Sequence, residues 1–528
     1  MQAHNYELLA TRAERFVEAG NWREARRDWQ AALTIAPDPA AVMLELSYVE
    51  SLAGLHRDAH AWALRAAEAR PNSPEGVHSL VRRLRTFNEV PLLRRLVGRL
   101  MVDPQTPANL LVECARQLSN LNDFGLALRC AQAAAARAPE HIAARLVRGQ
   151  LLAHHGRLDD AASDFDWALA RNPDAAIGWW MLARLKKQTR RSNHVVQLQG
   201  LLGRPGLAPQ NAAALARALH KELDDLNDFP GAWQALEVMC RARGVTDRHD
   251  GAAQRKVIDA LLAWRPERTS EAHSRVAGRT PVFIVGMHRS GTTLLEQLLS
   301  GNHQVRGLGE LNDFTSAMRH ACDHYCKGTL DLTIIERATR IDFTQVGRHY
   351  LASVAWRLGD ESCFVDKQPS NFLNLGFICQ ALPQAKILHM VRDPVETCFS
   401  NLRELYSEVN SFSYDQRTLA EYFLKYHDLM RHWRSVYPGR ILDVNYARLT
   451  GDTEGMMREV AAFCGIRYVA GMANPESCAR AVATASSIQV REAVVRRQRP
   501  KWAPYARQLR PLIQALREGG IEFDSALA

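Results

Sequence analysis

Residues 281–300 read Pro281-Val-Phe-Ile-Val-Gly-Met-His-Arg-Ser-Gly-Thr-Thr-Leu-Leu-Glu-Gln-Leu-Leu-Ser300. The β-branched and aromatic run 282–285 predicts a short buried parallel strand, and leucines recur at helical spacing over 294–299. Between these runs, Gly286 and Gly291 allow a sharp turn that directs backbone N–H groups toward one point. Such a loop at a helix N-terminus binds an anion, so the segment predicts a strand, an anion-binding loop and a helix.

The loop departs from a nucleotide triphosphate loop at one position. The two glycines have the spacing of the nucleotide-binding pattern Gly-x4-Gly-Lys-Ser/Thr. Thr292, however, stands where that pattern requires lysine. The missing lysine is the residue that contacts the β- and γ-phosphates, so the loop favours a ligand with one 5′-phosphate group over a triphosphate. The alternative interpretation is an ordinary glycine-containing turn between a strand and a helix.

The run from Arg289 to Thr293, Arg-Ser-Gly-Thr-Thr, resembles the 5′-phosphosulfate loop of sulfotransferases. This form of the loop is similar to that of protein-tyrosine sulfotransferases and of bacterial sulfotransferases that carry repeats. The resemblance implies an α/β domain with a parallel sheet, and 3′-phosphoadenosine-5′-phosphosulfate (PAPS) as the sulfuryl donor. It also implies which residues hold the donor's 5′-phosphate, namely Arg289, Ser290, Gly291, Thr292 and Thr293.

The composition is that of a soluble globular protein with more than one domain: 528 residues, 47% hydrophobic and 23% charged. The formal charge of +10 suits an anionic ligand, but no zinc finger, RNA-binding aromatic motif or recognition helix supports a nucleic-acid partner. The first residues contain no signal-type segment, and no apolar run is long enough to cross a membrane. These features favour a cytoplasmic protein without a membrane span.

The ten cysteines are scattered without dense pairing, which favours reduced thiols over a disulfide framework. Cys322 and Cys326 lie beside His320 and His324 and raise the question of a zinc site. No second ligand pair follows at finger-like spacing, so we interpret these four as helix-side residues of an irregular insertion. No motif of the chain requires a metal.

Two sets of residues recur through the N-terminal half with a period near 34 residues. Prolines recur at intervals of 34, 33, 35 and 34 residues, at positions 37, 71, 104, 139 and 173. Turn-type residues recur every 34 residues, namely Gly20, Gly54, Asn88, Asn122 and Gly156. Gly149 fits the position in the first helix of a repeat that requires a small residue. Trp29 and Phe165 occupy equivalent positions of two repeats, where a large residue is expected. The pattern resembles tetratricopeptide repeats, although the repeat that ends at Pro104 is degenerate.

These patterns divide the chain into a helical solenoid over residues 1–265, a polar linker over 266–280 and a sulfotransferase domain over 281–528. A final helix pair is predicted around the turn at Asn227. A stack of helix pairs presents a concave groove that typically binds a peptide, which suggests that the repeats bind a peptide or protein acceptor. The alternative is that the array braces the catalytic domain or forms a homodimer.

Glu310 is the candidate catalytic base. It lies in Gly307-Leu-Gly-Glu-Leu311, where the glycines permit the close approach of a ligand. Without the family resemblance, an ordinary glutamate on a solvent-exposed loop is an equally good interpretation. The resemblance to tyrosine sulfotransferases implies a base, because their Gly-Glu after the phosphate loop carries it and Glu310 matches that position.

Two later strand ends carry further candidates. Lys367, in Asp366-Lys-Gln-Pro369, follows a predicted strand at the end where α/β sheets bind ligands. It matches the family's lysine near the bond that breaks, and the alternative is a helix-entry cation paired with Asp366. Arg392 follows the next predicted strand and Ser400 lies eight residues on, so both can face one phosphate. The resemblance assigns this pair to the donor's 3′-phosphate.

Three residues match the family later in the chain. Tyr446 matches a tyrosine near the nucleotide, Ser486 a serine at the transferred group, and Lys501 a 3′-phosphate ligand. The chain departs from the family pattern at His288, at Ala447 and over Arg491-Glu-Ala493, where the family's usual sequence contains proline. His288 replaces the proline usual before the loop arginine, and Ala447 replaces the glutamate that usually follows the tyrosine. The first departure bears on acceptor choice, and the second on hydrogen bonding near the nucleotide.

The sequence thus predicts in-line sulfuryl transfer from PAPS to an acceptor hydroxyl, with adenosine 3′,5′-bisphosphate as the second product. Glu310 takes the acceptor proton, while Lys367, Arg289 and Ser486 stabilise the charge that develops on the leaving phosphate oxygen. A tyrosine of a peptide or protein is the first choice of acceptor, and a carbohydrate or small natural-product hydroxyl is the alternative. An alternative of another class is a catalytically silent scaffold that binds a nucleotide.

Overall fold

The computed structural model of the protein describes residues 2–265, 279–406, 408–474 and 500–523. In these segments, helices alone make up the N-terminal region, and all five strands follow it and pair in parallel. The predicted fold class, a helical repeat array followed by an α/β domain with a parallel sheet, is therefore confirmed. The described helices are too short or too polar to cross a membrane.

Fifteen α-helices form the described N-terminal region, and many neighbours in sequence pack against one another. They are α1 (Gln2–Glu18), α2 (Trp22–Leu33), α3 (Pro39–Leu52), α4 (His56–Ala69), α5 (Pro74–Thr86), α6 (Val90–Val102), α7 (Ala108–Asn120), α8 (Phe124–Arg137), α9 (Ile142–His154), α10 (Leu158–Arg171), α11 (Ala176–Ala183), α12 (Val195–Leu202), α13 (Pro209–Asp225), α14 (Phe229–Thr246) and α15 (Gly251–Ala263).

The turns between paired helices need residues that tolerate a left-handed backbone. All five turn-type residues of the repeat register have a positive φ, between 58° and 79°. Asn227 adopts the same conformation between α13 and α14, with a φ of 62°. Gly149 on α9 occupies a position where a Cβ would lie 2.6 Å from the ring of Phe165. The recurring small and turn-type residues thus permit both the tight turns and the close approach of helices.

The chain divides into two compact units, each assembled from two segments. The first unit contains residues 1–147 and 312–357, and the second contains residues 148–311 and 358–528. The division by packing therefore runs through α9. The predicted linker, 266–280, lies mostly outside the described residues, and the domain boundaries drawn from the sequence stay a prediction.

The first unit combines early repeats with a helical insertion. The insertion forms α17 (Asp313–Ala321), α18 (Leu332–Arg337) and α19 (Phe343–Val354), numbered after the helix α16 of the second unit. Arg57 on α4 donates from its side chain to the carbonyl oxygens of His320 and Ala321, at 3.0 and 2.9 Å. Its backbone N–H donates to Asp323 at 2.8 Å. A cation beside the last carbonyls of a helix is favourable, so Arg57 helps to hold α17 against the repeats.

The cysteines of the insertion lie in its interior. Cys322 and Cys326 are each 2% exposed, and their thiols lie near the carbonyl oxygens of Ile334 and Gly328. Among the residues that the structure describes, no three His, Cys, Asp or Glu side chains are arranged to hold a metal ion.

Four histidines of the first unit form an aromatic cluster between α4 and the insertion. They are His56, His60, His320 and His349. The ring of His60 stacks on Phe87 at a centroid distance of 4.8 Å and meets the ring of His320 at 5.7 Å. His320 in turn lies 5.1 Å from His349. The cluster therefore helps to pack the insertion on the repeats.

This cluster predicts that the first unit loses stability in mild acid. Burial lowers the pKa of His56 to about 3 and that of His320 to about 4, both from an ordinary value of 6.5. Between the ordinary pKa of 6.5 and these lowered values, the histidines bind protons in the unfolded chain but not in the folded chain. The free energy of unfolding is therefore highest above pH 6.5 and falls as the pH drops below it. The thermal unfolding midpoint should fall between neutral pH and pH about 5, and less steeply in His56→Gln. An equal fall in both proteins would contradict this explanation.

A five-stranded parallel sheet lies in the second unit, in the order β2-β3-β1-β4-β5. The strands are β1 (Thr280–Gly286), β2 (Val305–Gly307), β3 (Cys363–Asp366), β4 (Lys386–Val391) and β5 (Ile441–Asn445). β1 pairs with β3 and β4, so it is the central strand. Its residues 282–286 are all buried, as the apolar run predicted.

The remaining described α-helices surround or extend this sheet. They are α16 (Thr292–Ser300), α20 (Leu375–Ala381), α21 (Pro394–Leu402), α22 (Gln416–Val436), α23 (Tyr446–Gly451), α24 (Thr453–Cys464) and α25 (Arg510–Glu518). The leucines of α16 pack with strand residues such as Ile284 and Leu388 and with Met457 on α24. This core holds the start of α16 at the carboxyl end of β1.

Candidate active site

Gly286 and Gly291 are the two loop positions at which only glycine fits. Gly286 ends β1 with a φ of 150°, and a Cβ there would lie 2.8 Å from the carbonyl oxygen of Met390 on β4. Gly291 has a φ of 108°, and its Cβ would lie 2.5 Å from the ring of Tyr446. The loop therefore needs glycine both for its backbone conformation and for the close approach of its neighbours.

The loop presents hydrogen-bonding groups to its interior. α16 begins at Thr292, and no described side chain caps it. Ser290 is 2% exposed, and its hydroxyl oxygen is buried without a hydrogen-bond partner in the described part of the chain. A buried hydroxyl beside an uncapped helix start is suited to bind an anion.

Glu310 and Lys367 form a direct ion pair. The Lys367 ammonium donates to Glu310 Oε1 at 2.6 Å. The lysine side chain is 0% exposed, whereas that of Glu310 is 39% exposed, so the pair has one buried and one accessible partner. β2 and β3 are adjacent parallel strands, and the backbone N–H of Lys367 donates to the carbonyl of Gly309 at 2.9 Å. Strand pairing thus places the two side chains at one edge of the sheet.

Glu296, on α16, is a third charged member of this group that sequence reasoning missed. Its Oε1 accepts the backbone N–H of Gly309 at 2.7 Å, and its Oε2 lies 4.0 Å from the Lys367 ammonium. Glu296 therefore orients the backbone immediately before Glu310. Its negative charge also contributes to the electrostatic potential at the Lys367 ammonium. The signal available in the sequence was a carboxylate within a leucine-rich helix, which is unusual for a buried face.

His288 lies beside the ion pair but is not a good proton acceptor. Burial lowers its pKa to about 4, with Lys367 and Arg289 adding to the shift and Glu310 opposing it. Its Nδ1 is buried and has no hydrogen-bond partner among the described residues. The His288 carbonyl accepts from the Asn401 side chain at 2.7 Å, which fixes the loop. The residue is therefore neutral at neutral pH.

Arg392 follows β4 and reaches back to the loop. Its guanidinium donates to the carbonyl of Arg289 at 3.1 Å and to Glu396 Oε1 at 3.0 Å. It also lies 4.4 Å from the ring centroid of Tyr446. Burial lowers the pKa of Arg392, and Glu396 opposes that shift. The arginine, the tyrosine and the loop thus form one packed group.

Ser400 and Lys501 lie around the same helix, α21. Ser400 is 5% exposed, and the backbone N–H of Lys501 donates to Glu396 Oε2 at 2.9 Å. Glu396 therefore links Arg392 to the segment that carries Lys501. No role was predicted for Glu396, although it stands four residues after Arg392, at the spacing of a helical ion pair.

The order of the strands explains why these residues meet. In parallel strands the carboxyl ends share one edge, and each of the five strands is followed there by a candidate residue. Glu310 follows β2, Lys367 follows β3, the glycine loop follows β1, Arg392 follows β4 and Tyr446 follows β5. Ser486 lies outside the described residues. The roles assigned to these side chains from the sequence stay proposals.

One relative and several solved structures are similar to this chain. An uncharacterized protein of Aquifex aeolicus (strain VF5) is 28% identical over 396 residues, which are 72% of this chain and 51% of the relative. The aligned part therefore spans about half the length of that protein.

Three solved structures align at low overall similarity. The sulfotransferase domain of the Synechococcus PCC 7002 olefin synthase is 18% identical, with 48% of this chain and 100% of that domain covered and a TM-score of 0.32. The sulfotransferase STF1 of Mycobacterium tuberculosis H37Rv is 15% identical, with 53% and 90% covered and a TM-score of 0.29. A tetratricopeptide repeat protein of Parabacteroides merdae ATCC 43184 is 14% identical, with 48% and 97% covered and a TM-score of 0.33.

Family sequence models match both halves of the chain. The model of the tetratricopeptide repeat matches residues 11–74, 115–166 and 155–185. The model of the sulfotransferase family matches residues 281–470, which include the loop, Glu310, Lys367 and Arg392. The chain thus joins segments that match the tetratricopeptide repeat to a segment that matches the sulfotransferase family.

Proposed function

We propose that this protein transfers a sulfuryl group from PAPS to an acceptor hydroxyl, first of all that of a tyrosine in a peptide or protein. The observation that carries the proposal is the ion pair between Glu310 and buried Lys367, whose Oε1 and Nζ lie 2.6 Å apart. The pair lies at the edge of the sheet where the glycine loop follows β1. The match of residues 281–470 to the sulfotransferase family supports the same activity.

The residues around the loop fit the donor. Its 5′-phosphate would be held by the buried hydroxyl of Ser290 and by the start of α16, which have no side-chain partner among the described residues, together with Arg289 and Thr293. Arg392, Ser400 and Lys501, which lie around α21, would hold its 3′-phosphate and so distinguish it from ATP. When bound, the donor supplies the sulfuryl group that is transferred.

Glu310 and Lys367 would act at opposite ends of the transfer. The acceptor oxygen forms a bond to sulfur as its O–H bond breaks and Glu310 takes the proton. The bond from sulfur to the phosphate oxygen breaks, and its electron pair stays on the nucleotide product. Lys367 stabilises this charge and loses its attraction to Glu310 once that carboxylate is protonated. The two residues thus couple removal of the acceptor proton to departure of the nucleotide product.

The acceptor is assigned from two features that agree. The loop resembles that of protein-tyrosine sulfotransferases, and tetratricopeptide solenoids typically bind peptides. A carbohydrate or small natural-product hydroxyl is the alternative acceptor, and a silent nucleotide-binding scaffold is the alternative of another class. Incubation with labelled PAPS and a panel of peptides, glycans and phenols, followed by location of the label, distinguishes all three.

Recognition of the 3′-phosphate gives a direct binding test of the donor. Calorimetry should show that adenosine 3′,5′-bisphosphate binds at least about ten-fold more tightly than AMP or ATP, since each lacks the 3′-phosphate. Arg392→Met should remove most of this difference. Arg448→Met, which changes an exposed arginine paired with Glu459, is the matched control and should bind like the wild type. Equal affinity of the wild type for all three nucleotides would refute the donor assignment.

A further inference from the structure

Arg289, in the glycine loop, has a backbone conformation that is rare for a residue with a side chain. Its φ is 67°, whereas the other positive φ angles of the loop belong to Gly286 and Gly291. For an arginine this left-handed conformation is strained, and it persists only where the surrounding structure holds it. The groups that bind the backbone of Arg289 therefore decide whether the loop keeps its form.

Both peptide groups that flank Arg289 are bound by side chains from outside the loop. The carbonyl of Arg289 accepts a hydrogen bond from the Arg392 guanidinium at 3.1 Å, and the carbonyl of His288 accepts one from the Asn401 amide at 2.7 Å. Because a peptide group is planar, a fixed carbonyl also fixes the N–H of the next residue. Asn401 thus fixes the direction of the Arg289 N–H.

The amide of Asn401, on α21, has one orientation that satisfies its neighbours. Its nitrogen faces two oxygens that can only accept, the carbonyls of His288 and Thr397, at 2.7 and 2.8 Å. Its oxygen accepts the hydroxyl of Tyr406 at 2.9 Å. Asn401 is 0% exposed, so water does not compete for either end of the amide.

Tyr406 is itself a fixed donor. Burial raises the pKa of its phenol well above the ordinary value, so the hydroxyl stays protonated. Its backbone N–H donates to the Tyr414 hydroxyl at 2.8 Å, and its carbonyl accepts that hydroxyl at 3.0 Å. The same carbonyl accepts the Arg243 guanidinium at 2.9 Å. Arg243 lies on α14, so a helix that precedes the segment matched to the sulfotransferase family anchors Tyr406.

We propose that Asn401 and Tyr406 are positioning residues that hold Arg289 in its left-handed conformation, and with it the loop that receives the donor's 5′-phosphate. Asn401 contacts the loop, and Tyr406 acts through Asn401. This inference rests on the proposed function, because that function assigns the 5′-phosphate to the loop. α21 then serves both phosphate groups of the donor, since Ser400 is assigned to the 3′-phosphate and Asn401 orients the loop.

The contribution of the 5′-phosphate to binding tests the proposal. Calorimetry on the full chain gives it as the ratio of the affinities for adenosine 3′,5′-bisphosphate and adenosine 3′-monophosphate, which differ in that phosphate alone. We expect Asn401→Leu to lower this ratio about ten-fold and Tyr406→Phe about three-fold, as for the loss of a direct and of an indirect hydrogen bond. Affinity for the monophosphate should stay within about two-fold of the wild type.

Amide hydrogen exchange without nucleotide reports on the loop independently of any activity. A loop that has lost its clamp opens more often, so its amides exchange faster. Exchange in the peptide that spans residues 286–291 should be about ten-fold faster in Asn401→Leu and about three-fold faster in Tyr406→Phe.

Double variants separate this role from a general loss of stability. Glycine adopts a positive φ without strain, so in an Arg289→Gly background Asn401→Leu should lower the affinity ratio by less than about three-fold. Tyr406→Phe should change the ratio by less than about two-fold when added to Asn401→Leu, because it acts through the same amide. A residue needed only for folding would have the same effect in every background.

Tyr437→Phe is the matched control. Tyr437 also donates a hydrogen bond from its hydroxyl, but to the carbonyl of Gly376 on α20, at 3.0 Å. This variant should bind both nucleotides like the wild type. If Asn401→Leu unfolds below the assay temperature, Tyr406→Phe carries the test with its smaller expected effect.

Three results in a protein that prefers the bisphosphate would overturn the proposal. Asn401→Leu could leave the affinity ratio or the exchange of the loop unchanged, it could weaken both nucleotides equally, or its effect could be as large in the Arg289→Gly background. A wild type that bound both nucleotides equally would instead refute the assignment of the 5′-phosphate to the loop, and with it the proposed donor. The exchange measurement would still determine whether Asn401 holds the loop.

Discussion

Glu310→Gln is expected to lower turnover of a tyrosine acceptor about 10²-fold or more, with affinity for adenosine 3′,5′-bisphosphate unchanged. Glutamine keeps the shape of the side chain and can still accept a hydrogen bond from Lys367, but it cannot take a proton. A tyrosine phenol has a pKa near ~10, so its attack on sulfur at neutral pH requires a base. Glu310 is the partner of the pair that is accessible to an acceptor, since 39% of its side chain is exposed.

The acidity of the acceptor provides the internal control for this variant. A nitrophenol that ionises near neutral pH needs little help from a base, so Glu310→Gln should retain far more activity on it than on tyrosine. Glu361→Gln is the matched control, because Glu361 precedes β3 and accepts the backbone N–H of Gly359 at the other end of the strand. Its kinetics should equal those of the wild type on both acceptors.

Equal activity of Glu310→Gln and the wild type on every acceptor would place the base elsewhere. His288 would then be tested, although its pKa of about 4 makes it a weak base at neutral pH. If the wild type binds the nucleotide but transfers sulfate to no acceptor, the silent scaffold becomes the better description.

Lys367→Met is expected to lower turnover by about 10²- to 10³-fold, the usual cost of removing one donor from a site of developing negative charge. Methionine fills much of the lysine's volume, so the fully buried position should stay packed. The charge that Lys367 opposes develops on the leaving phosphate oxygen. The loss should therefore be of similar size for tyrosine and for the acidic nitrophenol, unlike the loss in Glu310→Gln.

Stability has to be followed in the same variant. Removal of the ammonium leaves Glu310 and Glu296 without the cation that lies 2.6 and 4.0 Å from them. The thermal unfolding midpoint therefore separates a loss of folded protein from a loss of rate. Lys386→Met is the matched control, because Lys386 starts β4 at the opposite end of the sheet. Unchanged turnover by folded Lys367→Met would remove the lysine from the mechanism.

The loop was predictable because its determinants are local. A run of buried apolar residues, two glycines and a leucine-rich helix follow one another within residues 281–300, and each constrains only its neighbours. Gly286 and Gly291 have the positive φ that the turn requires. The turns of the repeats were predictable for the same reason, because a left-handed residue is needed at each of them.

Glu310, Lys367, Arg392 and Tyr446 were recognised as candidates by resemblance, one at a time. Their proximity could be anticipated only in part, from the rule that parallel strands end at one edge. The partners that orient them, Glu296 and Glu396, were missed. The leucine-rich surroundings of Glu296 are unusual for a carboxylate, but the role of either residue depends on which backbone N–H or cation lies opposite.

Local residue patterns were enough to predict the repeat period, the fold class and the strand, loop and helix of the candidate site, because local backbone preference and apolar periodicity encode these features. The meeting of distant residues became visible only in the folded chain. Asp224 and Tyr505 are separated by 281 positions, yet their hydrogen bond joins α13 to the segment just before α25. Such contacts arise from the packing of whole elements, so no periodicity within either segment could reveal them.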